Sequence, residues 1–130
     1  MKNIKALSVN IKLKTLFKTW LQITEVFHGL TNQQIDVLAL LLYYHYKLSQ
    51  EITNNKILWK IVFDYETKAK IKDELQIADA GLQNVLTQLR KKNIVNNNQI
   101  VSTYIPNIEK DSTTFKIVFN FNIIHDKGRA

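Results

Sequence analysis

The sequence predicts an α+β fold that is mostly helical, and three observations carry the prediction. Apolar residues recur at spacings of three and four over most of residues 31–93, as the buried stripe of a helix requires. Two shorter stretches, at 7–13 and 115–121, alternate apolar and polar side chains with the period of a strand. The composition is that of a globular chain: 45% hydrophobic and 22% charged over 130 residues. That length suits a single domain with a real core. One proline, three glycines and no Gly/Ser-rich linker argue for one continuous fold.

The alternating stretch comes first. Leu7, Val9, Ile11 and Leu13 face one way and Ser8, Asn10, Lys12 and Lys14 the other, which predicts a strand with one wet, basic face. Its lysines either protect a sheet edge or form an arm for phosphates. From Leu16 to Phe27, the residues Leu16, Phe17, Trp20, Leu21, Ile23, Val26 and Phe27 fit a helix, although Ile23, Thr24, Val26 and Phe27 also suit a strand. His28-Gly29 should end it.

Thr31-Asn32-Gln33-Gln34 reads as a capping box, with a threonine hydroxyl for the Gln34 amide and the Gln34 side chain reaching back. The helix it opens, Asn32 to Leu48, is apolar nearly all round and should be the central buried one. His45, close to its apolar stripe, is expected as a core or boundary residue. Thr53 or Asn54 should cap a short helix holding Ile57, Leu58, Ile61 and Val62, with Trp59 either core or surface anchor.

Asp64 is the expected N-cap of a helix from Tyr65 to Leu75. A tight turn follows around Gln76-Ile77-Ala78, and then a second helix from Asp79 to Lys92 with Leu82, Val85, Leu86 and Leu89 on one stripe. Ala78 stands at the N-cap position, and Asp79 is expected to take over as cap. Gly81 lies inside the helix. Asn93 suits the left-handed residue that closes it. Beyond it, Ile94-Val95 should form a short strand, Asn96-Asn97-Asn98 a turn, and Gln99 to Ile105 a second strand ended by Pro106. Phe115, Ile117, Phe119 and Phe121 alternate with Lys116, Val118, Asn120 and Asn122 and predict a strong last strand, extended by Ile123 and Ile124. The tail from His125 should fray.

Residues 64–124 resemble a winged helix-turn-helix domain, of the kind found in phage and plasmid regulators and replication proteins. The resemblance implies a chain organised as a basic arm and helix (1–30), a helical core with the helix-turn-helix (31–93) and a hairpin wing (94–124). It also implies a dimer or larger homo-oligomer on duplex DNA, with the helix from Asp79 in the major groove. The DNA-binding residues would be Gln83, Asn84, Thr87, Gln88 and Lys91 on that helix, Lys68 and Lys72 on the one before, and Lys12 and Lys14 on the arm. Amides such as Gln83 and Asn84 pair with adenine N6 and N7. A second reading of the same pattern is a structural or assembly protein, of a phage particle for instance, that uses the helices as an interaction scaffold.

Charge bears on both readings. The formal net charge is +7 and the pI near 9.6, which favours an anionic partner. Residues 1–20 hold five lysines and no acid, whereas residues 61–93 hold six basic and five acidic groups. The excess thus lies on the arm. No cysteine exists, so neither disulfide nor thiolate metal site can form, and three histidines without ligand spacing suggest no metal and no cofactor. No phosphate loop or nucleophile motif points to an enzyme. No apolar run approaches the ~18–20 residues that span a bilayer, and lysines interrupt any leader-like stretch. The expected location is the cytoplasm of a host cell, or a virion if the chain is phage-encoded.

Overall fold

The computed structural model describes residues 3–126. Six helices follow one another: α1 (Leu13–Ile23), α2 (Glu25–His28), α3 (Asn32–Ser49), α4 (Asn55–Val62), α5 (Tyr65–Leu75) and α6 (Asp79–Lys91). A two-stranded antiparallel hairpin, β1 (Val95–Asn96) and β2 (Gln99–Ile100), and a 3-10 turn (Ser102–Tyr104) complete the regular structure of the described residues. The fold is therefore α+β and mostly helical.

Helix α3 is the hub. It packs on α1, α4, α5 and α6. Six consecutive residues, Val37 to Leu42, are buried, as is Ile35. A helix contacted on so many sides cannot keep a polar face, which explains its nearly uniform apolarity. The capping box at its start is formed: the Gln34 amide donates to Thr31 Oγ1 at 3.3 Å and the Thr31 amide donates to Gln34 Oε1 at 3.0 Å. Such a cap contributes about 1 kcal/mol. Asn54 caps α4 by accepting from the Ile57 amide at 3.0 Å, and Asp64 caps α5 by accepting from Thr67 at 2.9 Å. Trp59 belongs to the core at 5% exposure.

Four expectations are corrected. First, residues 7–13 form no ladder; the chain is extended to Lys12 and α1 begins at Leu13. Its alternation has no strand beside it to pair with among the described residues. Second, the helix expected over Leu16–Phe27 starts earlier and is broken at Thr24. There the hydroxyl donates back to the Trp20 carbonyl at 2.7 Å and ψ swings to 13°. The piece after the break, α2, ends at Gly29 with φ 62°. His28 joins the two pieces: its Nδ1 accepts from the Leu30 amide at 3.0 Å, so Nε2 carries the proton and donates to the Leu21 carbonyl at 2.7 Å.

Third, the hairpin is shorter than expected. Asn97 and Asn98, with φ of 52° and 53°, make the turn, as a two-residue loop with both residues left-handed demands. The ladder holds only Val95 opposite Ile100 and Asn96 opposite Gln99. After Val101 the chain coils into the 3-10 turn, so no strand reaches Ile105. Fourth, residues 115–121 form no ladder. They run along α1 and α2 instead: Phe115 meets Trp20 edge-on at 6.0 Å between ring centroids, and Phe119 stacks on Phe27 at 6.3 Å. The Trp20 indole N–H donates to the Tyr104 carbonyl at 2.9 Å, fastening the segment after the hairpin to α1. Of the tail expected to fray, residues 127–130 lie outside the described residues.

Candidate functional site

The site expected from the sequence centres on the elbow between α5 and α6. Helix α5 stops because Gln76 takes the left-handed conformation, φ 54°, while the amides of Gln76 and Ile77 donate to Asp73 and Lys72 carbonyls at 3.3 and 3.1 Å. That pair of bonds satisfies two of the four terminal carbonyls of the helix. Ile77 stays half-buried against the core. Ala78 is extended and serves as N-cap of α6 without any side-chain bond. The expectation that Asp79 caps the helix is therefore corrected: Asp79 is already its first helical residue, and its carboxylate takes the Lys72 ammonium at 3.2 Å across the elbow. At its other end α6 closes on Asn93, φ 61°, with Asn93 and Ile94 amides bonded to Arg90 and Leu89.

Leu82, Val85, Leu86 and Leu89 are buried, so α6 turns the opposite face outward. At 100° per residue that face is Ala80, Asn84, Thr87 and Lys91, and all four are exposed. Among the expected site residues, Asn84, Thr87 and Lys91 thus share one stripe. Gln83 and Gln88 flank it on either side and are half-buried. The Thr87 hydroxyl donates to the Gln83 carbonyl at 2.9 Å, leaving its oxygen able to accept. Gly81 lies on the flank, where an added Cβ would find only Ile77 Cβ, at 4.0 Å. Gly81→Ala is accordingly expected to stabilise the chain by about 0.5–1 kcal/mol, through the lower backbone entropy of alanine in a helix. A raised thermal midpoint checks this; a lowered one would mean that α6 packs more tightly there.

The lysines are disposed unevenly. On α5, Lys68 is half-buried, and Lys72 is tied to Asp79. Lys14 reaches Glu74, near the end of α5, at 2.6 Å, a hydrogen bond that raises the ammonium pKa above its ordinary value. Lys12, the N-cap of α1, is exposed. The Lys14–Glu74 pair therefore seats the root of the N-terminal arm beside the elbow. Nothing in the residue pattern foretold this, because the two partners are 60 positions apart.

A second concavity escaped the sequence altogether. An open cleft of about 610 Å³ lies between the hub and the hairpin, lined by His45, Asn55 and Trp59 on one side and Asn97, Gln99 and Ser102 on the other. His45 lies flat on Trp59, with 4.1 Å between centroids and 20° between planes, and burial pushes its pKa below the ordinary imidazole value. The cleft carries amides and a hydroxyl but no acid–base pair.

Among the described residues no cluster of histidine and carboxylate is arranged to hold a metal ion, and no helix is long and apolar enough to cross a membrane. Fold and surface define a mostly helical α+β protein that presents a neutral-to-basic helix at an elbow, with a basic arm rooted next to it. No protein-family model matches the chain, and no curated protein or solved structure proves significantly similar to it.

Proposed function

We propose that the chain is a non-enzymatic, winged-helix DNA-binding protein acting as a regulator or replication accessory of a phage or mobile element. The observation that carries the reading is the 2.6 Å Lys14–Glu74 pair, which brings the most basic part of the chain beside an α5–α6 elbow whose outer stripe is exposed. On this reading Asn84, Thr87 and Lys91 face the major groove, with Gln83 and Gln88 at the margins. Lys5 and Lys12 neutralise phosphates nearby, as flexible basic arms do. Lys68 and Lys72 contribute less, the first half-buried and the second engaged by Asp79.

The assembly-scaffold reading has its own support. Two of the expected phosphate-binding lysines, Lys14 and Lys72, already have carboxylate partners, and the Asp79 side chain is 69% exposed at the leading end of α6, where it repels phosphate.

Fluorescence anisotropy with a labelled random duplex, at two salt concentrations, separates the two. The expected result is binding at low salt with a steep salt dependence. Lys5→Ala/Lys12→Ala should flatten the slope of log affinity against log salt by about 2, and Lys91→Ala by about 1. Gln83→Ala/Asn84→Ala should leave the slope in place. No binding at low salt overturns the DNA reading, and loss confined to the Gln83/Asn84 variant overturns the role of the arm.

A further inference from the structure

Both ends of the chain are written as strands, and neither is paired. Among the described residues, no backbone hydrogen bond joins residues 3–11 or 115–126 to anything. Most of their apolar side chains stand in water: Leu7 is 88% exposed and Val9 80%, and Phe121 is 85% and Ile124 93%. A scatter of lone exposed apolar residues needs no explanation, but two period-two stretches of them do. Bare edges with this pattern are templates for another strand.

Among the described residues no backbone hydrogen bond joins the two arms. The C-terminal arm is laid along the first two helices from Trp20, under Phe115, to Phe27, under Phe119. Residues 120–124 therefore continue past the α2 end of that strip. The N-terminal arm leaves from the opposite end, at Leu13, where Lys14 is held to Glu74. Around the far end of the C-terminal arm, α1 and α2 expose Ile23 at 46%, Val26 at 84% and Phe27 at 68%. This apolar patch has the C-terminal arm along it and stays exposed beside it.

We infer that the N-terminal arm of a second copy adds to the C-terminal arm as a strand, with Leu7, Val9 and Ile11 turned onto Ile23, Val26 and Phe27. The match in period is one reason for choosing this occupant: the alternation from Leu7 to Lys12 meets that from Phe115 to Phe121, and an apolar face meets an apolar patch. Charge is the other. Residues 3–14 hold three lysines and no acid, so two N-terminal arms repel each other, whereas the C-terminal arm, residues 115–124, holds one lysine and repels the donor far less. The contact is head-to-tail. Each copy donates one arm and receives one, so it closes as a ring or a reciprocal dimer or runs on as a filament. In either case Ser8, Asn10 and Lys12 stay on the outer face, and α6 takes no part.

Light-scattering mass in solution tests this with two full-length variants. Proline breaks a ladder, and adjacent prolines break it on both edges. Val9→Pro/Asn10→Pro disables the donor and Asn120→Pro/Phe121→Pro the acceptor. All four positions are exposed and outside the helices, so the fold is untouched. The wild-type protein should have a mass of at least two chains, and each variant alone that of one, 15.2 kDa. Mixed in equal amounts, the two variants should give a species of twice that mass, because one intact donor then meets one intact acceptor. A monomeric wild type, a variant that keeps the wild-type mass, or a mixture that stays monomeric each overturns the inference, the second by showing that like arms pair with like.

Discussion

Replacing Leu38 by alanine is expected to remove about 2–5 kcal/mol of stability, the range for a fully buried leucine whose cavity does not collapse. Leu38 is 0% exposed at the middle of α3, and α3 is packed by α1, α4, α5 and α6. A void at this point cannot be filled by one neighbour moving inward, since each neighbour is held by contacts of its own. A domain of this kind has only about 5–15 kcal/mol in total, so the variant should populate unfolded chains at growth temperature. Urea unfolding measures the effect as a lower midpoint at unchanged slope. Val118→Ala, at a position 71% exposed, is the control and should shift the free energy by under about 0.5 kcal/mol. A Leu38 loss below about 1 kcal/mol would mean that the hub is packed more loosely than its burial implies.

Trp59→Ala is expected to cost about 3–5 kcal/mol, and to change the acid sensitivity of the fold as well. Trp59 fills the space between α3 and α4, 5% exposed, with His45 flat against it and Phe63 at 6.2 Å. Burial holds the His45 imidazole below its ordinary pKa. An unfolded histidine titrates near 6.5, so between that pH and the lower folded value the unfolded chain binds more protons than the folded one. Stability from this source is complete above about pH 6.5 and falls as the pH drops toward the folded value. The thermal midpoint of the wild type should therefore decline over that window more steeply than that of His45→Phe, which has no proton to take up. Trp59→Ala opens the site to water and should lose the same extra decline. Parallel midpoint curves for the wild type and His45→Phe would show that the imidazole is not desolvated.

How far the residues announce the fold depends on the range of the interaction involved. The capping box at Thr31, the caps at Asn54 and Asp64, and the left-handed residues Gln76 and Asn93 all act within a few positions of themselves, and they end helices where the pattern said they would. Periodicity likewise marks α3, α5 and α6, because a helix satisfies its own backbone. The outward stripe of Asn84, Thr87 and Lys91 follows from the same arithmetic. Asp79 is no cap because Ala78 already holds the N-cap position, and the Asp79 carboxylate pairs with Lys72 of the neighbouring helix.

Strands obey a different rule. Leu7 to Leu13 and Phe115 to Phe121 alternate as well as any strand does, yet alternation specifies only a face; the hydrogen bonds must come from another segment. Here the first arm departs from one end of α1 and the second is laid toward α2, and among the described residues neither has a backbone hydrogen bond to another segment. Local chemistry along the chain suffices for five helical stretches, the caps at Thr31, Asn54 and Asp64 and the buried set on α3, since each helix closes its hydrogen bonds within a turn. The seat of the arm at Glu74, the unpaired state of both extended ends and the cleft beside Trp59 arise only when distant segments are brought together, because each depends on groups that the chain order keeps apart.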